Sequence, residues 1–349
     1  MTEQTAQAES PFFNQLRNRA PGIALSAAVA IAAVLAAPWV ATLFPVPAMV
    51  LALIIGIALN PLARQPAFAP GITFCVKTLL RWAVALLGLR IALGEIFALG
   101  LDTALLVVVA MAVTLVSGFL LAKVFRQSES FGALAGAGTA VCGASATLAT
   151  AAVLPNYKGK EADVAFVVIA VNALSTVAMV LYPPLCAVLG FDEVTTGIML
   201  GATIHDVAQV AGAGYATSEL TGNTAVIVKL FRVLLLFPVV VAVAWYFLRP
   251  RPPVAALKGA VPGFAIAFII LCVINSVIST IPAAAPYYQP VQALVGEVAT
   301  WGLLIAIGAL GLGTSIQAVA ALGLKHIATV IGTTIVILAV VTGGLMVIA

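Results

Sequence analysis

Along this chain the apolar residues run again and again without interruption for about twenty positions, the length an α-helix needs to cross hydrocarbon. Runs of that kind leave little choice of fold. A backbone in lipid must satisfy its own N–H and C=O groups, so only helices and closed barrels span it. Barrel strands are short and alternate apolar with polar positions, whereas these runs are continuous. Composition agrees: 63% of the 349 residues are hydrophobic, only 8% are charged, and the mean hydropathy is +1.19. A soluble domain carries about a quarter charged residues. The expected fold is an all-α polytopic membrane protein.

Eleven spans can be drawn, at 21–44, 46–63, 72–97, 102–122, 131–154, 163–188, 194–214, 223–248, 259–282, 296–321 and 326–348. The polar stretch 1–20 precedes the first and reads as a cytoplasmic segment. The apolar run after it is too long for a signal-peptide core and reads as a retained leading helix. Lys and Arg in the joints set orientation. Arg17, Arg19, Arg64, Lys123, Arg126, Arg249, Arg251, Lys258 and Lys325 fall on one side, nine against Lys158 and Lys160 on the other. The N-terminus is therefore expected inside and the C-terminus outside. The basic residues are scattered at helix ends, so the net charge of +4 does not suggest a nucleic-acid partner. Cys75, Cys142, Cys186 and Cys272 lie within apolar runs without paired spacing, against a disulfide scaffold or zinc site.

Setting the leading helix 21–44 aside, ten spans suggest two five-helix units, 45–188 and 189–349. Ile55 to Asn60 (IGIALN) matches Leu200 to His205 (LGATIH), Val76-Lys77 matches Val228-Lys229, and Gly136 to Ala140 (GAGTA) matches Gly311 to Ser315 (GLGTS). Five is odd, so the second unit would run inverted, a design typical of secondary transporters. The fifth span has glycines and small hydroxyl residues at mid-span, where helix propensity is poor, and the tenth has Gly308, Gly311 and Gly313 followed by Thr314 and Ser315. Both are expected to break and cross. The same small residues also permit close helix packing; their matching places favour breaks.

A half-helix that starts at mid-membrane offers free N–H groups and a positive dipole end, a ready anion site. Thr139, Cys142, Gly143, Ala144, Ser145 and Ala146 would line it from the fifth span, and Gly311, Gly313, Thr314 and Ser315 from the tenth. Neither suspected break holds an Asp or Glu, which favours an anionic ligand over a cation. In the seventh span His205 and Asp206 sit mid-span with Gln209 one turn beyond, and ionisable groups at that depth usually line a pathway. His205 or Asp206 is the expected proton carrier. Asn60 and Asn172 are mid-bundle amides suited to helix-to-helix hydrogen bonds. Lys229 and Arg232 are placed near the outer end of the eighth span and Lys77 and Arg81 near the inner end of the third. Snorkelling to the headgroups is the reading for the lysines, and either snorkelling or anion attraction for the arginines. Arg90 is expected near Glu95 at the outer interface.

No phosphate loop, HExxH or metal-ligand spacing is present, and glycine-rich strings occur only within apolar spans. No metal, cofactor or enzymatic activity is expected.

CGASA at Cys142 to Ala146, HDVAQVAGAG at His205 to Gly214, the Lys77/Arg81 pair and VKLFR at Val228 to Arg232 together resemble the YeiH-like membrane proteins, a family named as sulfate exporters. The resemblance covers nearly the whole chain from about residue 20. It implies a fold like the sodium/proton antiporters, a bacterial inner-membrane location, and export of a sulfur anion such as sulfate, sulfite or a sulfonate. Dimers in related folds make a homodimer an expectation. The resulting expectation is a proton-coupled secondary transporter of a small anion. A sodium-coupled carrier and an anion sensor without transport are the alternatives.

Overall fold

The computed structural model describes residues 11–41, 47–247, 263–281, 284–314 and 324–348. Every element among them is helical: α1 (Pro11–Ala41), α2 (Ala48–Ala58), α3 (Ala69–Leu89), α4 (Gly100–Val124), α5 (Glu129–Ala140), α6 (Ala144–Val153), α7 (Lys160–Val188), α8 (Glu193–Thr203), α9 (Val207–Thr217), α10 (Glu219–Phe247), α11 (Gly263–Ser279), α12 (Ala285–Gly313) and α13 (Leu324–Ile348), with two short helices at Asn60–Ala63 and Leu93–Ala98. Seven of the described helices are long and apolar enough to cross a membrane, and α2 and α11 are shorter apolar helices. Large apolar side chains such as Leu101, Val124 and Val188 lie exposed along them, as a lipid-facing surface requires.

The chain forms two compact units. One comprises Met1–Arg81 with Trp301–Ser315, the other Trp82–Thr300 with Ile316–Ala349. In the first unit α2 packs on the end of α12 at backbone distance. A Cβ added to Gly56 would stand 2.5 Å from Gly308 O and 2.9 Å from Gly311 Cα, and Asn60 Nδ2 donates to Leu312 O at 2.8 Å. Helix α12 runs unbroken through Gly308 and Gly311, where a break was expected, because these glycines admit a neighbouring helix, and it ends at Gly313 within the tenth span. Residues 315–323, which include the rest of that span, lie outside the described residues. Thr314 follows directly, its hydroxyl donating to Leu310 O at 2.8 Å. Ser315 lies outside the described residues.

The second unit holds the main departure from expectation. Helices α5 and α6 have 12 and 10 residues, about 18 and 15 Å, so neither crosses about 30 Å of hydrocarbon. Nor do they continue one another. The Phe131 ring, at the start of α5, stands 6.0 Å from the Phe166 ring near the start of α7. Lys160, the first residue of α7, donates to Leu154 O just past the end of α6 at 2.8 Å. The start of α5, the end of α6 and the start of α7 thus share one end of the unit. The fifth span is a re-entrant hairpin, not a broken crossing helix.

The seventh span repeats the design from the opposite end. The Thr221 hydroxyl, at the start of α10, donates to Glu193 O at the start of α8 at 3.0 Å, and Gly214 of α9 abuts Gly222 of α10. Helices α8 and α9 therefore enter and leave at the far end of α7, whose 29 residues rise about 43 Å. Within this unit the structural counterpart of the fifth span is the seventh. Both entering arms carry a small-xxx-small stripe, Gly132/Gly136 and Gly197/Gly201. A Cβ on Gly132 would lie 2.7 Å from Gly118 O of α4, and one on Gly201 2.5 Å from Ala225 O of α10. Close backbone approach of this kind gives van der Waals packing where lipid supplies no hydrophobic drive.

Candidate functional site

Each hairpin turns through a three-residue tip, Val141–Gly143 and Ile204–Asp206. The first turn depends on glycine. Gly143 has φ 65° and ψ −120°, a region open to glycine and strained for any residue with a Cβ. Turning a chain inside a membrane strands carbonyl oxygens at the end of each entering arm, and an unsatisfied group there costs several kcal/mol. Two side chains of α10 satisfy them. Arg232 uses all five of its N–H donors: Nε and Nη2 reach Ala140 O at 3.0 and 2.8 Å, Nη2 reaches Thr139 O at 2.9 Å, and Nη1 reaches Gly201 O and Ile204 O at 3.0 and 3.1 Å. Lys229 Nζ donates to Val141 O at 2.6 Å and Ile204 O at 2.9 Å. Both side chains are 0% exposed. They tie the tips together, and they place positive charge on two helix C-termini, where the dipole favours it. Snorkelling is therefore wrong for Lys229: its ammonium lies among the tip carbonyls, held by direct hydrogen bonds to them. Lys77 and Arg81 are exposed, with Lys77 in a π-helical turn, Cys75–Leu79.

The departing arms begin differently. Asp206 caps α9, its Oδ1 accepting from Ala208 N at 2.8 Å while its own N–H donates to Ser175 Oγ at 3.0 Å. Helix α6 starts at Gly143 with no side-chain cap. Its first internal hydrogen bond is from Thr147 N to Gly143 O, so the N–H groups of the opening turn have no helical acceptor. Ala144 is half-buried and Ser145 exposed beside them, with Cys142 and Ala146 buried. Two cations face one carboxylate at the tips. The four helix ends, about half a charge each, cancel pairwise, leaving the tips about one unit positive.

His205 is fully buried, with Nε2 3.0 Å from Thr334 Oγ1. Thr334 Oγ1 also lies 2.8 Å from Val330 O; when its hydroxyl donates there, Nε2 is the donor of the His205 bond. Nδ1 and Gln209 Oε1 are buried without a hydrogen bond of good geometry, and the Thr139 backbone lies beside the imidazole. Gln209 Nε2 donates to Asn172 Oδ1 at 3.3 Å and Thr176 Oγ1 at 3.4 Å, the helix-to-helix bonding expected of Asn172. Thr139 shares a 2.9 Å hydrogen bond with Thr333. Thus Thr139, Cys142 to Ala146, His205, Asp206, Gln209, Lys229 and Arg232 converge. Asn60, Gly311, Gly313 and Thr314 belong to the other unit, where Asn60 bonds Leu312 O and receives Arg64 Nε at 3.2 Å. The sequence reading passed over Ser175 and Thr176. With Asn172 they form a polar stripe at i, i+3 and i+4 on one face of an otherwise apolar helix, a signal readable from spacing.

Comparison with known proteins follows the same chain. A family model described as Conserved hypothetical protein 698 matches residues 21–330. The UPF0324 membrane protein TauZ of Paracoccus pantotrophus is 42% identical over 330 residues, covering 93% of this chain and 94% of the relative. TauZ of Paracoccus denitrificans is 41% identical with the same coverage. The UPF0324 inner membrane protein YeiH of Salmonella typhimurium is 34% identical over 87% of both chains. No solved structure matches. A helical, multi-pass membrane architecture and relatives matched nearly end to end agree: this chain belongs to the UPF0324 family of membrane proteins, the YeiH-like family.

Proposed function

We propose that the protein is a secondary transporter of a small anion, carried where the two hairpin tips meet. One observation carries the reading: two fully buried basic side chains, Lys229 and Arg232, hold both tips, with Asp206 the one acidic side chain there, beside the uncapped start of α6. A charge at that depth is costly, by about 2.5–3.5 kcal/mol at a helix centre. Irregular backbone in a membrane is tolerated where it is buried in protein or lines a pathway. Opposed half-helices of this kind serve alternating access, one part moving against another around a fixed site. The expected cargo is a sulfur oxyanion, sulfate, sulfite or a sulfonate, exported from a bacterial cell. Protons are the proposed driving ion, taken up at Asp206 or His205.

The hairpins also revise the proposed topology. Since the fifth and seventh spans return to the side they came from, nine segments cross (α1, α2 together with the short helix Asn60–Ala63 that continues it, α3, α4, α7 and α10 to α13) in place of eleven. The joint holding Lys158 and Lys160 then moves to the inner side, giving eleven basic residues inside, with Arg90 alone outside. The N-terminus remains inside and the C-terminus outside, with a stronger positive-inside bias than the eleven-span reading.

The decisive experiment is counterflow in proteoliposomes with labelled sulfate, sulfite and a sulfonate, under imposed pH and sodium gradients. Uptake of at least one anion that responds to the pH gradient is expected. Silence toward all three under every gradient removes the transport reading, and a response to sodium alone replaces the proton.

A further inference from the structure

The open ends of the two hairpins are fastened by different chemistry. At the α8–α9 end, Arg90 Nη2 meets Glu219 Oε1 at 2.6 Å and its guanidinium lies 5.9 Å from the Tyr215 ring of α9. At the α5–α6 end the fastener is His326, near the start of α13. Its ring meets the Phe131 ring of α5 edge-on at 4.8 Å and 86°, and the Phe166 ring of α7 at 5.3 Å. His326 Nε2 lies 4.0 Å from Asp163 Oδ1 of α7.

We infer that His326 is a proton-operated latch on the α5–α6 hairpin, closed when its imidazole is charged and loosened when it is neutral. Histidine is the side chain whose ordinary titration falls between pH 5 and 8. As imidazole it packs against Phe131 and Phe166 as a third ring. As imidazolium it gains an opposite charge in Asp163, 4.0 Å away, while keeping its contacts with the two aromatic rings. The surrounding groups support that assignment. Asp163 is the carboxylate facing the ring from α7, and its other oxygen accepts from Tyr157 Oη at 3.1 Å. Burial and the neighbouring Asp163 carboxylate push the Tyr157 phenol up, so it stays a donor across this range. Helix α5 presents Phe131, while its Glu129 accepts from Tyr246. Lys160 is held by Leu154 O and Asn156; Lys325 is the ring's neighbour along α13, exposed. Because Phe131 sits on the entering arm, the proton on His326 reports directly to the hairpin that ends at Gly143. In the proposed orientation this end faces the cytoplasm, which makes the latch a sensor of internal pH.

Hydrogen exchange on the purified full chain tests this without any substrate, so its outcome is independent of the transport reading. After correction for intrinsic rates, protection across residues 129–153 should rise about threefold from pH 8 to pH 6, as ion pairing strengthens. Residues 193–217 hold His205 and Asp206, so a pH response there belongs to those groups and is read separately from the latch. His326→Phe, which keeps three rings, and Asp163→Asn, which keeps the histidine, should each flatten the response. If His326→Phe does not fold, Asp163→Asn decides alone. Equal protection at both pH values in the unaltered chain overturns the latch, and so does a pH response that survives in either folded variant.

Discussion

The hairpins α5–α6 and α8–α9 share a plan and differ in chemistry. Each enters on a glycine stripe, turns at a tip held by Lys229 and Arg232, and returns as a short half-helix. One departing arm begins at a carboxylate, the other at a bare glycine. One open end is fastened by arginine and glutamate, the other by histidine and aspartate. The difference teaches that backbone architecture and charge are set separately. The paired hairpins create opposed helix ends, and a few side chains decide what stands at each end.

Removing what the hairpins share should cost most. Arg232→Met leaves the carbonyls of Thr139, Ala140 and Gly201 without their donor. Hydrogen bonds to a charged group contribute about 1.5–3 kcal/mol each, and breaking such a buried set destabilises by about 3–5 kcal/mol. Thermal unfolding in detergent should show a loss of that size, with protection falling in both hairpins together; a loss confined to one would separate the tips. Gly143→Ala should act on the first hairpin alone. Its positive φ disfavours a Cβ by about 1–2 kcal/mol, visible as faster exchange across residues 129–153 with residues 193–217 unchanged. Glu219→Gln is expected to matter least. The carboxylate is 64% exposed, and such pairs contribute about 0–1 kcal/mol, so the melting temperature should barely move. A large shift would make the α8–α9 fastener more than a surface pair.

Much of the site was visible in residue order. His205, Asp206 and Gln209 stood out as polar groups deep in an apolar span, and the small-residue string around Cys142 marked a place where a helix would fail. Both lie at hairpin tips. What misled was the tenth span, where Gly308 and Gly311 offered the same composition. A glycine that unwinds its own helix and one that admits a neighbour look alike until the neighbour is known, here Gly56.

Hydropathy alone determined that this chain lives in lipid as helices, because the free energy of burying apolar length is additive along the sequence. It was blind to whether twenty-odd apolar residues cross or double back, since α5 with α6 sums to the same length either way. Only the tertiary structure decided that, together with the roles of Lys229 and Arg232. Their partners at Thr139 to Val141 lie some ninety residues earlier in the chain. The need to satisfy stranded carbonyls fixes such pairings in space, at distances no local pattern of residues records.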